Sequence, residues 1–201
     1  MADYSTIGVG TSANDGTGDT LRAAFQKVNT NSALQTWMQG IFPTADLTGS
    51  NVNTAQAVFS TPSLVTLAAT TSYEFEGEYH IDTSGTTSHS IALLFGGTAT
   101  FTSILYSALT SNGATATTTS AASLTRGNVA TAITVTAAVA AATQNIIRIR
   151  GVMRINGAGT VIPQFQYSAA PGVAPTINKN SFFRCWAIGA ASATSFGSDV
   201  S

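Results

Sequence analysis

Residues 72–82 read Ser72-Tyr73-Glu74-Phe75-Glu76-Gly77-Glu78-Tyr79-His80-Ile81-Asp82. In an extended chain, successive side chains point to opposite faces. Tyr73, Phe75, Tyr79 and Ile81 then share one side, and Glu74, Glu76, Glu78 and His80 the other. That alternation predicts a strand with one face in a core and one in water. The rest of the C-terminal three-quarters repeats the theme. Ser88–Phe95 predicts a second strand, and Gly96-Gly97 turns the chain into a third over Thr98–Tyr106. Val129–Val139 is β-branched at alternate places, and Ile146–Ile155 predicts a long strand. Asn156-Gly157-Ala158-Gly159 has the composition of a hairpin turn into Thr160–Ser168, and Pro163 confines that strand to an edge or a bulge. Ser181–Ile188 closes the series after a loop at Pro171–Asn180. The Ser/Thr/Ala/Gly stretch 107–127 is expected to be a long loop or a weakly specified edge. These segments predict a mainly β fold, a jelly-roll-like antiparallel β-sandwich of about eight strands. No helical pattern separates the strands, which argues against a parallel sheet.

The N-terminus differs. Residues 1–20 are polar and Gly-rich, with the turn chemistry of a loop. Asp19 or Thr20 is then placed to cap a helix. Leu21, Phe25 and Val28, followed by Leu34, Trp37, Met38 and Ile41, fall near one stripe at helical spacing, and Gly40 and Pro43 end it. The expected organisation is a loop and helix over 1–43, a polar linker over 44–55 and a β-sandwich over 56–201. A helix so isolated in sequence must bury its stripe on its own domain, on copies of itself or on another protein. Leu34, Trp37 and Met38 are the expected self-contact. Removing residues 1–43 is expected to leave a folded β domain.

Composition narrows the function classes. Only 8% of the residues are charged, against roughly 25% in ordinary soluble domains. A chain with so little charge suits fixed neighbours in a lattice or oligomer better than a solitary life in solution. The formal net charge is −1 and there is no Lys/Arg run, so nucleic acid is not an expected partner. No apolar run reaches the ~18–20 residues of a membrane span, and the N-terminus has no signal-peptide pattern. The single cysteine, Cys185, has no partner for an internal disulfide, and synthesis in the cytosol is expected. Beside Trp186, it is expected in the core.

The segment Asn14-Asp15-Gly16-Thr17-Gly18-Asp19-Thr20-Leu21-Arg22-Ala23-Ala24-Phe25-Gln26-Lys27-Val28-Asn29 resembles a motif of tailed-phage virion proteins, among them head fibres, decoration proteins and neck and tail appendages. In that group it lies near the N-terminus, ahead of a β domain. The β region adds a weaker likeness in Tyr73-Glu-Phe-Glu-Gly77, Gly97-Thr-Ala-Thr100, Arg150-Gly-Val-Met-Arg154 and Ile162-Pro-Gln-Phe-Gln-Tyr-Ser168. The resemblance implies a virion protein made in the host cytoplasm and often trimeric. Asn14, Asp15, Gly16, Gly18, Asp19, Leu21, Arg22, Phe25 and Val28 would attach it to a major capsid, neck or other virion protein. The chain lacks the repetitive shaft of long tail fibres, which favours a compact decoration protein or short head fibre over a tail or baseplate fibre.

Other motifs have plainer explanations. Asp15-Gly-Thr-Gly-Asp19 mimics one turn of a calcium-binding repeat, but such sites need stacked copies. Turn and cap chemistry accounts for the same residues. Gly8-Val-Gly10-Thr-Ser-Ala13 matches a dinucleotide fingerprint as a string, without the strand before it and helix after it that the site requires. Glu78, His80 and Asp82 share one strand face and His89 is the other histidine; a polar outer row explains them better than a metal. No cofactor is expected. A Ser-His-Asp triad lacks a nucleophile-elbow motif, and convergent acid, base and nucleophile are missing, so an enzyme is not expected. A carbohydrate-binding module taking a host surface glycan is the competing class. Tyr79, Tyr106, Tyr167 and Trp186 would be its aromatic platform, although their positions along the strands suggest burial. Finally, Glu74, Glu76 and Glu78 form an acidic row, and Arg148, Arg150 and Arg154 a basic one. Like charges in a row repel unless opposite charges face them, so the two rows are expected to meet, within one subunit or across a subunit interface. Glu74, Glu76, Arg148 and Arg150 are the candidates for doing so across a subunit interface.

Overall fold

The computed structural model describes residues 7–9, 11, 16–34, 38–113 and 122–191, with side chains except at 30–34, 112 and 113. Helix α1 (Leu21–Leu34) precedes the strands β1 (Met38–Ile41), β2 (Leu47–Thr48), β3 (Gln56–Ala57), β4 (Val65–Leu67), β5 (Thr71–Thr83), β6 (Ile91–Gly97), β7 (Thr100–Gly113), β8 (Ala122–Gly127), β9 (Ile133–Thr134), β10 (Thr143–Gly157), β11 (Gly159–Tyr167), β12 (Thr176–Ile177) and β13 (Phe182–Ala190). The chain divides into two compact units, Met1–Met38 and Gln39–Ser201.

The second unit is a β-sandwich. Its larger sheet runs β1-β13-β5-β10-β7-β8, with β12 on β5 and β2 on β12. The smaller runs β3-β11-β6-β9, with β4 also on β11. The alternation that begins at Tyr73 drives the larger sheet. Tyr73, Phe75, Tyr79 and Ile81 are all buried. Across them, β10 buries Ile147, Ile149, Met153 and Ile155, while β6 and β11 supply Ile91, Leu93, Phe95, Val161, Phe165 and Tyr167 from the facing sheet. Phe95 locks the sheets together, edge-on to Phe75 at 5.4 Å and to Tyr106 at 5.6 Å, geometries that suit ring quadrupoles. Cys185 lies in the same core, as expected.

Several local expectations are corrected. Asn156–Gly159 is not a hairpin, because β10 and β11 belong to different sheets. Strand β6 likewise passes into β7 across Gly97–Ala99, and the two crossings lie side by side. The amides of Thr98 and Ala99 both donate to the Thr160 carbonyl at 3.0 Å. Thr160 N donates to Thr98 Oγ1 at 3.0 Å, and Gly157 N to Thr100 Oγ1 at 2.8 Å. With β6 on β11 and β7 on β10, residues 91–113 and 143–167 form one antiparallel ribbon that bends once, from sheet to sheet. Glycines permit the bend because a Cβ on Gly97 or Gly159 would meet the backbone of the other crossing.

Strand β11 is also not an edge, since β6 flanks it on one side and β4 and β3 on the other. Pro163 is tolerated because β4 pairs with 159–161 and β3 with 164–165, so its missing N–H falls in the gap between them. Of the 107–127 stretch, residues 107–113 continue β7 and so are not a loop, while β8 pairs along it as the last described strand of the sheet, in keeping with the expected edge. Cross-strand packing here overrides the weak preference of Ser and Ala for strands. Within Val129–Val139, only Ile133–Thr134 and an isolated His89–Val139 bridge form ladder pairs, both beside β6 or its approach.

Residues 44–55 are not a linker. They hold β2, and their backbone and side chains bind the 172–179 region: Gly49 N to Pro175 O at 2.8 Å, Lys179 N to Asp46 Oδ1 at 2.8 Å and Gly172 N to Asn51 Oδ1 at 2.9 Å. Likewise the expected 1–43 segment overruns the first unit. Ile41 is buried in the β core, and the Gln39 amide grips the Thr66 backbone at both ends, at 2.6 and 3.0 Å.

Among the described residues, every Asp, Glu, Lys or Arg on a strand belongs to the larger sheet: Glu74, Glu76, Glu78, Asp82, Arg126, Arg148, Arg150, Arg154 and Arg184. The strands of the smaller sheet carry none.

Candidate functional site

In the first unit, Thr20 is the helix cap. Its Oγ1 accepts the Ala23 amide at 3.3 Å and its carbonyl the Ala24 amide at 2.8 Å, as a side-chain oxygen at that position is expected to do. Asp19 has a different role. Its Oδ2 accepts both Gly8 N and Lys27 Nζ at 2.7 Å, and its own amide donates to the Gly8 carbonyl at 2.8 Å. One carboxylate thus ties residue 8 to the second turn of α1, and the hydrogen bond from Lys27, with that from Gly8, holds it below the usual carboxylate range. Gly16 has φ +72° with open space around it, a backbone setting that favours glycine. Leu21, Phe25 and Val28 lie at i, i+4 and i+7 and are 75%, 59% and 41% exposed. Arg22 is exposed beside them. Asn14, Asp15 and Trp37 lie outside the described residues, as does the side chain of Leu34; Met38 is 41% exposed.

The acidic and basic rows do meet, inside one chain. Strands β5 and β10 are neighbours in a register that sets Arg148 opposite Glu78 and Arg150 opposite Glu76. Arg148 Nε donates to Glu78 Oε2 at 2.6 Å, and Arg150 reaches diagonally to Glu74 Oε1 at 2.7 Å. Arg184 on β13, which the sequence did not single out, pairs with Glu76 from the other side. Of the two places where Glu74, Glu76, Arg148 and Arg150 were expected to meet, within one subunit or between subunits, the first is what the strands provide: these charges are paired without a second copy. Arg154 instead donates to the Ala191 carbonyl. Exposed pairs of this kind contribute little each, and their main effect is to fix register.

Glu78 has a second partner, bonded also to His80 Nε2 at 2.8 Å. Burial pushes its carboxyl up, but the hydrogen bonds from Arg148 and His80 outweigh this and the net shift is downward. A carboxyl lowered by folding stabilises the fold above its unfolded value near 4.5, and that stability is lost as pH falls through the lower folded value. Glu78→Gln is therefore expected to flatten the acid side of the stability profile below about pH 5, measured by denaturant melts at successive pH. A profile unchanged from the parent would contradict the pairing.

Among the described residues, no group of three His, Cys, Asp or Glu side chains is placed to hold a metal, and no helix is long and apolar enough to cross a membrane. His89 is buried, its Nδ1 2.7 Å from the Thr87 carbonyl oxygen. Tyr79, Tyr106 and Tyr167 are core residues, so three of the four proposed sugar-binding aromatics are inaccessible. Trp186 is half-buried on the outer side of β13. Burial also pushes the Cys185 thiol up to about 12, which leaves it protonated and unreactive at neutral pH.

No family model matches the chain, and no curated protein or solved structure matches it.

Proposed function

We propose that this chain is a non-catalytic structural protein of a tailed-phage virion, a capsid decoration or short head-fibre protein held by its first unit and displaying the β-sandwich. The observation that carries this is the exposed Leu21–Phe25–Val28 stripe. It lies within the segment that resembles the virion motif, on a helix of 14 residues. A helix that short is marginal in water by itself, and an exposed apolar stripe is the usual mark of a docking face. The low charge of the whole chain agrees with a protein packed among fixed neighbours. A tail or baseplate fibre would use the same anchor, and immunolabelling of virions separates the two: signal over the head supports decoration, signal at the tail end the fibre. The carbohydrate-module alternative is weakened by burial of its tyrosines.

Deleting residues 1–37 is expected to leave the second unit folded, with its melting temperature within a few degrees of the parent, and to abolish incorporation into particles. Cutting instead after residue 43 removes the buried Ile41 and the Gln39 clamp, and costs about 2–4 kcal/mol. Normal decoration of heads by the 1–37 deletion would overturn the anchor.

A further inference from the structure

Three charges on the outer face of the larger sheet are left over by its ion pairs, and one of them, Arg154, donates to the Ala191 carbonyl. Among the described residues, Arg126 and Asp82 make no salt bridge and no side-chain hydrogen bond, whereas Arg148, Arg150 and Arg184 each have a carboxylate. Arg126 stands exposed on the edge strand β8. Asp82 is half-buried at the far end of β5, in a recess of about 290 Å³ lined with Thr83, Ser84, Gln144 and Thr176. Its surroundings push its carboxyl up, through burial first and Asp46 as well, against the pull of His80. A desolvated carboxylate without a donor is costly, and the natural complement of such a recess is a cation from outside.

The register places the leftover charges symmetrically. Arg126 shares a row with Ser107, Arg150 and Glu76, and Asp82 lies three strands across and six residues along, a separation of about 25 Å at ordinary strand spacings. Midway between them lie Leu109 and Ile146, 43% and 38% exposed, with Leu124, 72% exposed, directly opposite Leu109 on β8. An apolar centre flanked by one positive and one negative group is complementary to its own copy. A two-fold axis in the plane of contact brings each charge onto its opposite.

We propose that two copies of this chain associate face to face through this sheet. Arg126 of each copy enters the Asp82 recess of the other, and Leu109, Leu124 and Ile146 of both copies form the dry centre. Arg148 lies near that centre already neutralised by Glu78 at 2.6 Å, so covering it leaves no naked charge, the condition under which an ion pair can be buried tolerably. The guanidinium is suited to the carboxylate because it offers several donors in one plane. This contact does not rest on the phage assignment.

The test is the mass of the full-length chain by light scattering, for the parent, Arg126→Asp, Asp82→Arg and the double exchange. Each single reversal sets like charges together and is expected to halve the assembly mass, whatever the parent's size. The double exchange restores opposite pairs and is expected to restore the mass. Asp82→Asn, a smaller change, should weaken association at least tenfold, and circular dichroism checks that each variant is folded. Three results overturn the proposal: a parent that is monomeric at high concentration, association insensitive to either reversal, or folded single variants that the double exchange fails to rescue.

Discussion

Phe75→Ala lowers the stability of the β-sandwich by about 3–5 kcal/mol, the largest effect expected of a single substitution here. Phe75 is fully buried and its ring contacts Phe95, Tyr106 and Phe183 at 5.4–6.2 Å. Those partners come from both sheets, and all are held by long strands that have little freedom to collapse inward. The lost transfer energy is therefore joined by the cost of a cavity. In denaturant the midpoint should fall with the slope unchanged, and the melting temperature should drop by roughly 10 °C or more for a unit of this size. Phe182→Ala is the control: Phe182 sits on the outer side of β13, stacked on exposed Phe42 at 6.0 Å, and its loss should cost about 1 kcal/mol or less. Equal losses at the two positions would mean that the core is not centred on Phe75.

Gly97→Ala is expected to cost about 2–4 kcal/mol, from strain at positive φ together with a backbone collision. Gly97 has φ +110°, a region that residues with a Cβ rarely adopt. The added methyl would also be driven into the Thr160 carbonyl oxygen, which already accepts the Thr98 and Ala99 amides. Neither group can step aside without opening the ribbon where it passes between sheets. A thermal melt within a degree of the parent would contradict this description of the bend.

These two positions differ in how visible they are in the sequence. Phe75 is announced by the alternation of residues 73–81, and the long β10 strand by the branched residues of 146–155. Period-two patterns report which face is buried, and that is enough to give the sandwich. They do not report which sheet a chain rejoins after a turn. Asn156-Gly157 therefore looks like a hairpin, although the ribbon pairing made it a crossing. Pro163 looks like an edge residue because a missing N–H usually means a missing neighbour; here two short strands divide one flank and leave a gap where the proline falls. Residues 44–55 lack hydrophobic periodicity, yet their backbone groups found partners in the 172–179 region, a pairing 120 or more residues distant that no local pattern carries. The charge rows were legible as rows. Arg184 was not, because a lone arginine among aromatic residues gives no hint that its strand lies beside β5. Asp82 and Arg126 became distinctive only once the other charges on the face had found partners, Arg148, Arg150 and Arg184 in carboxylates and Arg154 in a carbonyl.

The concentration of strand charges on the larger sheet makes the sandwich electrically one-sided. Dissolved salt screens the ionic wall within about 8–10 Å and finds no fixed strand charge to act on at the opposite wall. Raising ionic strength should then loosen whatever adheres to the first wall while sparing contacts made by the second, so that a simple titration with sodium chloride distinguishes which side of the molecule a neighbour touches.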